Sequence, residues 1–106
     1  MLKMILSGAL GADAEVREVG NSKLIKFSVA VSMDYRDQQG NKVEKTEWVQ
    51  ANMWKGKEQS TKVADYLKKG TKVLVEGVPE SDAYKSKEGE VKSHLSVKVR
   101  DLELLN

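Results

Sequence analysis

The sequence predicts a small all-β barrel carrying one helix. Three observations lead there. Most segments alternate apolar and polar residues with period two, the mark of half-buried strands. One proline and eight glycines punctuate those segments. A single stretch has helical spacing, and it falls between the third and fourth strand candidates. The length of 106 residues suits one domain, spanning 1–106.

The chain opens on Met1-Leu2-Lys3-Met4-Ile5-Leu6. This apolar run is too short and too soon interrupted for a signal peptide. No stretch approaches the ~20 apolar residues of a membrane span, so a cytoplasmic protein without membrane contact is expected. Gly8-Ala9-Leu10-Gly11 reads as a bend from strand into turn.

The clearest strand runs from Lys23 to Met33. Ile25, Phe27, Val29, Val31 and Met33 share the core parity, and only Leu24 breaks the polar one. Asp37 to Asn41 is a turn. The next strand, from Glu44 to Trp54, has Val49, Ala51 and Met53 on its apolar face. From Ser60 to Lys69 the spacing of Val63, Tyr66 and Leu67 predicts a helix. Lys68 and Lys69 would lie in its last turn, with Gly70 as its C-cap. Phe27 and Tyr66 are expected in the core.

Val73, Val75 and Gly77 open a further strand, which Pro79 should end or push to an edge. Lys87-Glu88-Gly89 reads as a hairpin turn. Val91, Leu95, Val97 and Val99 then share one parity, before Leu102, Leu104 and Leu105. Five short strands with one helix between the third and fourth is the layout of the OB-fold, a Greek-key barrel. Closure of the barrel also manages the sheet edges.

The functional anomaly lies on the third strand candidate. Trp48 and Trp54 share a parity, and it is the polar one. At ~3.4 Å per residue they stand ~20 Å apart along one face. Two indoles there are costly to leave in water unless something covers them. A subunit contact or a long loop could do so. A single-stranded nucleic acid could also, because every base offers a π-face and stacking tolerates any sequence. Tyr35 and Tyr84 each stand in a polar, loop-like stretch beside a basic neighbour, Arg36 and Lys85 respectively. Stacking and phosphate contact are available together at both.

Other chemistries find little support. There are no cysteines, which excludes disulfides and thiolate metal sites. The one histidine, His94, lies on the polar parity of the last strand without a partner in the pattern. No spacing suits a metal, and no nucleophile has an evident base. The glycines at positions 8 and 11 match neither the dinucleotide nor the P-loop pattern. No catalytic residue, metal or cofactor is expected. The net charge of +2 is too mild to suggest nucleic acid by itself.

Several segments, in order, resemble the bacterial-type single-stranded DNA-binding protein family. Gly8 to Arg17 is similar to its Gly-x-Leu-Gly-x-Asp-x-Glu-x-Arg opening. Phe27-Ser28-Val29-Ala30 and Lys45-Thr46-Glu47-Trp48 follow at the right spacing. Tyr66-Leu67-Lys68-Lys69-Gly70 and Val73 to Gly77 complete the set. The resemblance covers about Lys3 to Leu105. It implies DNA held by four stacking aromatics, matched here by Tyr35, Trp48, Trp54 and Tyr84, with Lys3 matching a basic contact. It also implies roles in replication, recombination and repair and a homo-oligomer, for which a one-domain chain favours a tetramer.

Three departures stand out. Gln50 replaces a frequent arginine. Glu80 and Asp82 replace two basic positions. The chain stops at Asn106 without the family's acidic-tipped tail, so tail-mediated protein partners are not expected. The alternatives are a replication-restart primosome protein of the same fold, acting mainly through protein partners, and an OB-fold that uses Trp48 and Trp54 as a protein interface.

Overall fold

The computed structural model describes residues 1–85 and 91–105, with side chains for 1–80 and 95–105. Its strands are β1 (Met4–Leu10), β2 (Glu15–Val19), β3 (Ser22–Ser32), β4 (Tyr35–Arg36), β5 (Lys42–Val43), β6 (Thr46–Gly56), β7 (Lys72–Lys85) and β8 (Val91–Leu104). The main sheet has the order β1-β7-β8-β6-β3-β2, and β1 also pairs with β3. Five strands therefore close into a barrel, and β2 lies outside the ring against β3. All pairings are antiparallel except β6 with β8. This is the expected OB-type barrel.

Alternation decides which side chains fill the barrel. Ile25, Phe27 and Val29 of β3 are buried, as are Val49, Ala51 and Met53 of β6. Leu6, Leu10, Val73, Val75, Val97 and Val99 complete the core from β1, β7 and β8. The expected inward run of β3 ends early, because Met33 is half exposed at the strand's end.

Closure depends on two glycines. β1 pairs with β7 over Met4–Ala9 and turns to pair with β3 at Ala9 and Leu10. At this corner a Cβ on Gly8 would lie 2.2 Å from the Ala30 carbonyl oxygen. On the neighbouring strand β7, a Cβ on Gly77 would lie 2.1 Å from the Lys98 carbonyl oxygen. Only glycine permits backbone to approach so closely. A third glycine serves a turn. Gly20, with φ +58, opens the two-residue Gly20-Asn21 loop between β2 and β3, the II′ geometry that suits strand twist.

The expected helix over Ser60–Lys69 does not form. A single 3-10 turn, Lys62–Tyr66, takes its place, with no side-chain cap at Thr61. Tertiary hydrogen bonds claim the groups a helix would use. The Leu67 carbonyl accepts from Ala14 N–H at 2.8 Å, and Lys69 N–H donates to the Asp13 carboxylate at 2.8 Å. A 3-10 winding of three residues per turn also changes which side chains share a face. Ala64 and Leu67 turn to the core, whereas Tyr66 is 65% exposed and not the core residue its spacing suggested. Gly70, at φ +88, closes a turn from Lys68 to Thr71 rather than capping a helix.

Pro79 does not end β7. Beyond Gly77, β7 has β8 on one side and, among the described residues, no neighbour on the other, and Pro79 sits there opposite Val97. An edge position tolerates the missing N–H. Tyr84 and Lys85 thus lie on a strand, opposite Lys92 and Val91, not in a loop. The turn at Lys87-Glu88-Gly89 lies outside the described residues. The two-stranded arm helps to explain a radius of gyration of 15.6 Å, against about 13 Å for a compact chain of this length.

Candidate nucleic-acid interface

The outer face of the β3–β6 pair follows from the same alternation that fills the core. Trp48 and Trp54 stand on it, 54% and 45% exposed. Across the ladder Trp48 faces Ala30 and Trp54 faces Leu24, while Gln50 and Asn52 between them face Ser28 and Lys26. The two rings therefore mark the ends of one strip about 20 Å long, with small or polar side chains between them.

Each indole borders a cleft. That of Trp48 has a volume of ≈450 Å³ and is lined by Gly11, Asp13, Glu15, Lys26 and Gln50 among others. The β1–β2 bend forms its far wall. Gly11 N–H donates to the Ser28 carbonyl at 3.2 Å, which sets the bend against β3. A Cβ on Gly11 would lie 2.5 Å from Trp48 Cζ3 and 2.7 Å from Cη2. The six-membered ring of Trp48 thus rests against the bare backbone of Gly11. The cleft of Trp54, ≈400 Å³, is lined by Lys55, Val63, Arg100, Asp101 and others.

Tyr35 and Arg36 stand on a small ribbon, β4 paired with β5, that prolongs the β3–β6 ladder through a Met33 N–H bond to the Lys45 carbonyl. Asp37 folds its turn, accepting from the N–H groups of Gln39 and Asn41 at 3.0 and 2.9 Å. Asp34 anchors its base. The hydrogen bond from Lys45 N–H is the main reason its carboxyl stays below the usual carboxylate range, with Ser32 and Lys42 helping and desolvation opposing. Tyr35 is 53% exposed. Arg36 spends one donor on the Gly40 carbonyl at 3.0 Å, so part of its guanidinium holds its own turn.

The remaining expected contacts are not gathered around the indoles. Lys3 is paired with Glu76, Nζ to Oε1 at 2.5 Å, in a separate cleft shared with Arg100. The backbone of Tyr84 and Lys85 lies on the β7–β8 arm, and their side chains are outside the described residues. The structure thus joins Trp48 and Trp54 on one face, sets Tyr35 and Arg36 on a ribbon continuing it, and sets Lys3 apart.

Pattern reading passed over two residues at this face. Gly11 looked like a turn glycine, and nothing local reveals an indole lying on it. Arg100 did carry a signal. Leu95, Val97 and Val99 are odd, but Leu102 and Leu104 are even, so the apolar parity switches between them. The cause is a β-bulge: Gly77 pairs with Val99 and Glu76 with Asp101, leaving Arg100 extra.

Known proteins resemble this chain in sequence and in fold. The Single-strand binding protein family matches residues 1–105. A single-stranded DNA-binding protein of Neisseria meningitidis serogroup A is 36% identical over 104 residues, covering 97% of this chain and 59% of its own length. Single-stranded DNA-binding protein 1 of Xylella fastidiosa is 33% identical over 105 residues, covering 97% of this chain and 76% of its own. This chain thus spans about three-fifths of the Neisseria relative. Among solved structures, the Plasmodium falciparum protein in complex with single-stranded DNA superposes with a TM-score of 0.81 at 23% identity, covering 100% of this chain and 96% of that one. A deletion variant of the Thermus aquaticus single-stranded DNA-binding protein gives 0.79 at 23% identity, covering 100% and 51%. By its sequence over nearly the whole length, and by its barrel, the chain belongs to the Single-strand binding protein family.

Proposed function

We propose that this protein binds single-stranded DNA without sequence preference, stacking bases on Trp48 and Trp54 as its principal contacts. The observation that carries this reading is the pair of exposed indoles on one outer strip of β6. Unpaired bases can cover such rings, whereas duplex hides its stacking faces. Tyr35 extends the strip, and Tyr84 and Lys85 on the β7–β8 arm are the fourth stacking position and its basic neighbour. Arg36 contributes with the donors its turn leaves free, and Lys3 would have to share itself with Glu76. The relatives' names point the same way. The reading includes no catalysis, and it places the protein in the cytoplasm, as a homotetramer acting in replication, recombination and repair.

Titration with oligo(dT) should change tryptophan emission and bind far more tightly than duplex of the same length at matched salt. Equal affinity for the two forms would reject the proposal. Solution mass with and without the oligonucleotide would report the tetramer.

Gly11 offers a more local test. Its φ is not in the left-handed region, so alanine suits the backbone and only Trp48 opposes it. Gly11→Ala should displace the indole, shift its emission and weaken oligo(dT) binding toward the level of Trp48→Ala, with little change in Tm. The double variant should then bind no worse than Trp48→Ala alone, because the two changes remove one contact. Additive losses would show that Gly11 acts elsewhere.

A further inference from the structure

A β-bulge leaves its extra residue out of the ladder and re-aims its side chain. Here that residue is Arg100, and it is exposed. Two clefts meet at it. One holds Trp54 and Lys55, the other Lys3 and Glu76. Arg100 therefore stands at the end of the aromatic strip, on the side that leads toward the start of the chain.

Charge gathers at the same end, where Lys55, though on the inward parity of β6, lines one cleft with Trp54 and Arg100. Lys55 lies directly opposite Lys23 in the β3–β6 register. Like charges facing each other across a ladder destabilise it unless something neutralises them. The described residues supply no ion pair for Lys23, Lys55 or Arg100, whereas Lys3, Arg17, Lys42 and Lys68 each have a carboxylate. The acid nearest in sequence, Asp101, accepts from Leu102 N–H at 3.0 Å. It lines the cleft without forming an ion pair there.

We propose that Arg100, presented by the β7–β8 bulge, forms with Lys55 a phosphate-binding site beside Trp54. The site takes the backbone of the strand whose base stacks on that indole and directs it toward the cleft of Lys3. A guanidinium suits this task, since its planar fork meets phosphate oxygens in pairs. Specificity is not expected from the site, because phosphate contacts position a strand and do not read it. The assignment rests on the proposed single-stranded DNA binding and adds to it the exit path of the strand.

The test is oligo(dT) titration across a salt series for wild type, Arg100→Ala, Arg100→Lys and Lys55→Ala, with a thermal melt of each. Each phosphate contact on a single strand contributes roughly 0.7 to the slope of log affinity against log salt. Arg100→Ala and Lys55→Ala should each lower the slope by about that amount, and their losses should fade at high salt. Arg100→Lys should keep the slope, and Tm should stay near wild type in all three. If wild type binds and Arg100→Ala leaves its slope unchanged, the phosphate site is wrong. An equal loss in Arg100→Lys and Arg100→Ala, with lowered Tm, would also overturn it, by showing that Arg100 only shapes the bulge. Failure of wild type to bind single strands would instead remove the functional reading itself.

Discussion

Gly8→Ala should cost the barrel about 3 kcal/mol or more, the upper end of what overpacking does. One methyl group is added, but it has nowhere to go. It would meet the Ala30 carbonyl carbon and a Val29 methyl at 2.9 Å each, besides the oxygen at 2.2 Å. Side chains could yield; a carbonyl held in a ladder cannot. The strands must part at the corner where β1 passes from β7 to β3, and the ring opens there. For a domain whose whole stability is of order 5–15 kcal/mol, such a loss should lower Tm steeply or abolish the transition. Gly56→Ala is the contrast, since its nearest neighbour would be 3.5 Å away, an ordinary contact. That change should be neutral or mildly stabilising. Thermal or urea melts of the two variants decide the matter, and similar midpoints would refute the close-approach argument.

Trp48→Ala and Trp54→Ala should leave the melt nearly unchanged while binding falls. A stacked base is worth ~1–3 kcal/mol by alanine substitution, so each change should weaken oligo(dT) about 5- to 150-fold. Both rings are about half exposed on the outer strip, so their loss opens no cavity in the core. Val49→Ala, which empties space inside the barrel, should do the reverse, lowering stability and sparing affinity in the folded fraction. The two indoles are also separable. Trp48 rests on Gly11, whereas Trp54 lies in a cleft with two basic side chains. Loss of Trp54 should therefore also flatten the salt dependence if the strand no longer reaches Lys55 and Arg100. A variant that unfolded while retaining wild-type affinity in its folded fraction would show an indole serving the fold.

What could be read beforehand follows a physical divide. Parity is a local property, and it placed Ile25, Phe27, Val29, Val49 and Ala51 inside and both tryptophans outside. A five-stranded OB-type barrel followed from strand order, whereas the place of β1 between β7 and β3 is seen only in the structure. The helix failed because hydrogen bonds from Ala14 and to Asp13 reach across more than fifty residues, and no window over Ser60–Lys69 contains them. Tyr66 went astray with it. Pro79 was readable only as an alternative, since whether a strand has one neighbour or two is a tertiary fact. The site divides in the same way. Exposed aromatics show in the pattern, but the carboxylate that takes up Lys3 and the turn that takes up Arg36 show only in three dimensions.

The position of β1 in the ring also sets a clock for synthesis. Its partner segment on β7 runs from Lys72 to Gly77, with Met4 opposite Gly77. Chains grow at roughly 5–20 residues per second, so β1 waits about 4–14 s for its partner to be made. Through that interval Ile5 and Leu6 belong to an unpaired edge, and β3 and β6 can pair without closing anything. The native ring can form only after β8 has joined β7 to β6. Until then the nascent chain is an open sheet exposed to pairing with its neighbours.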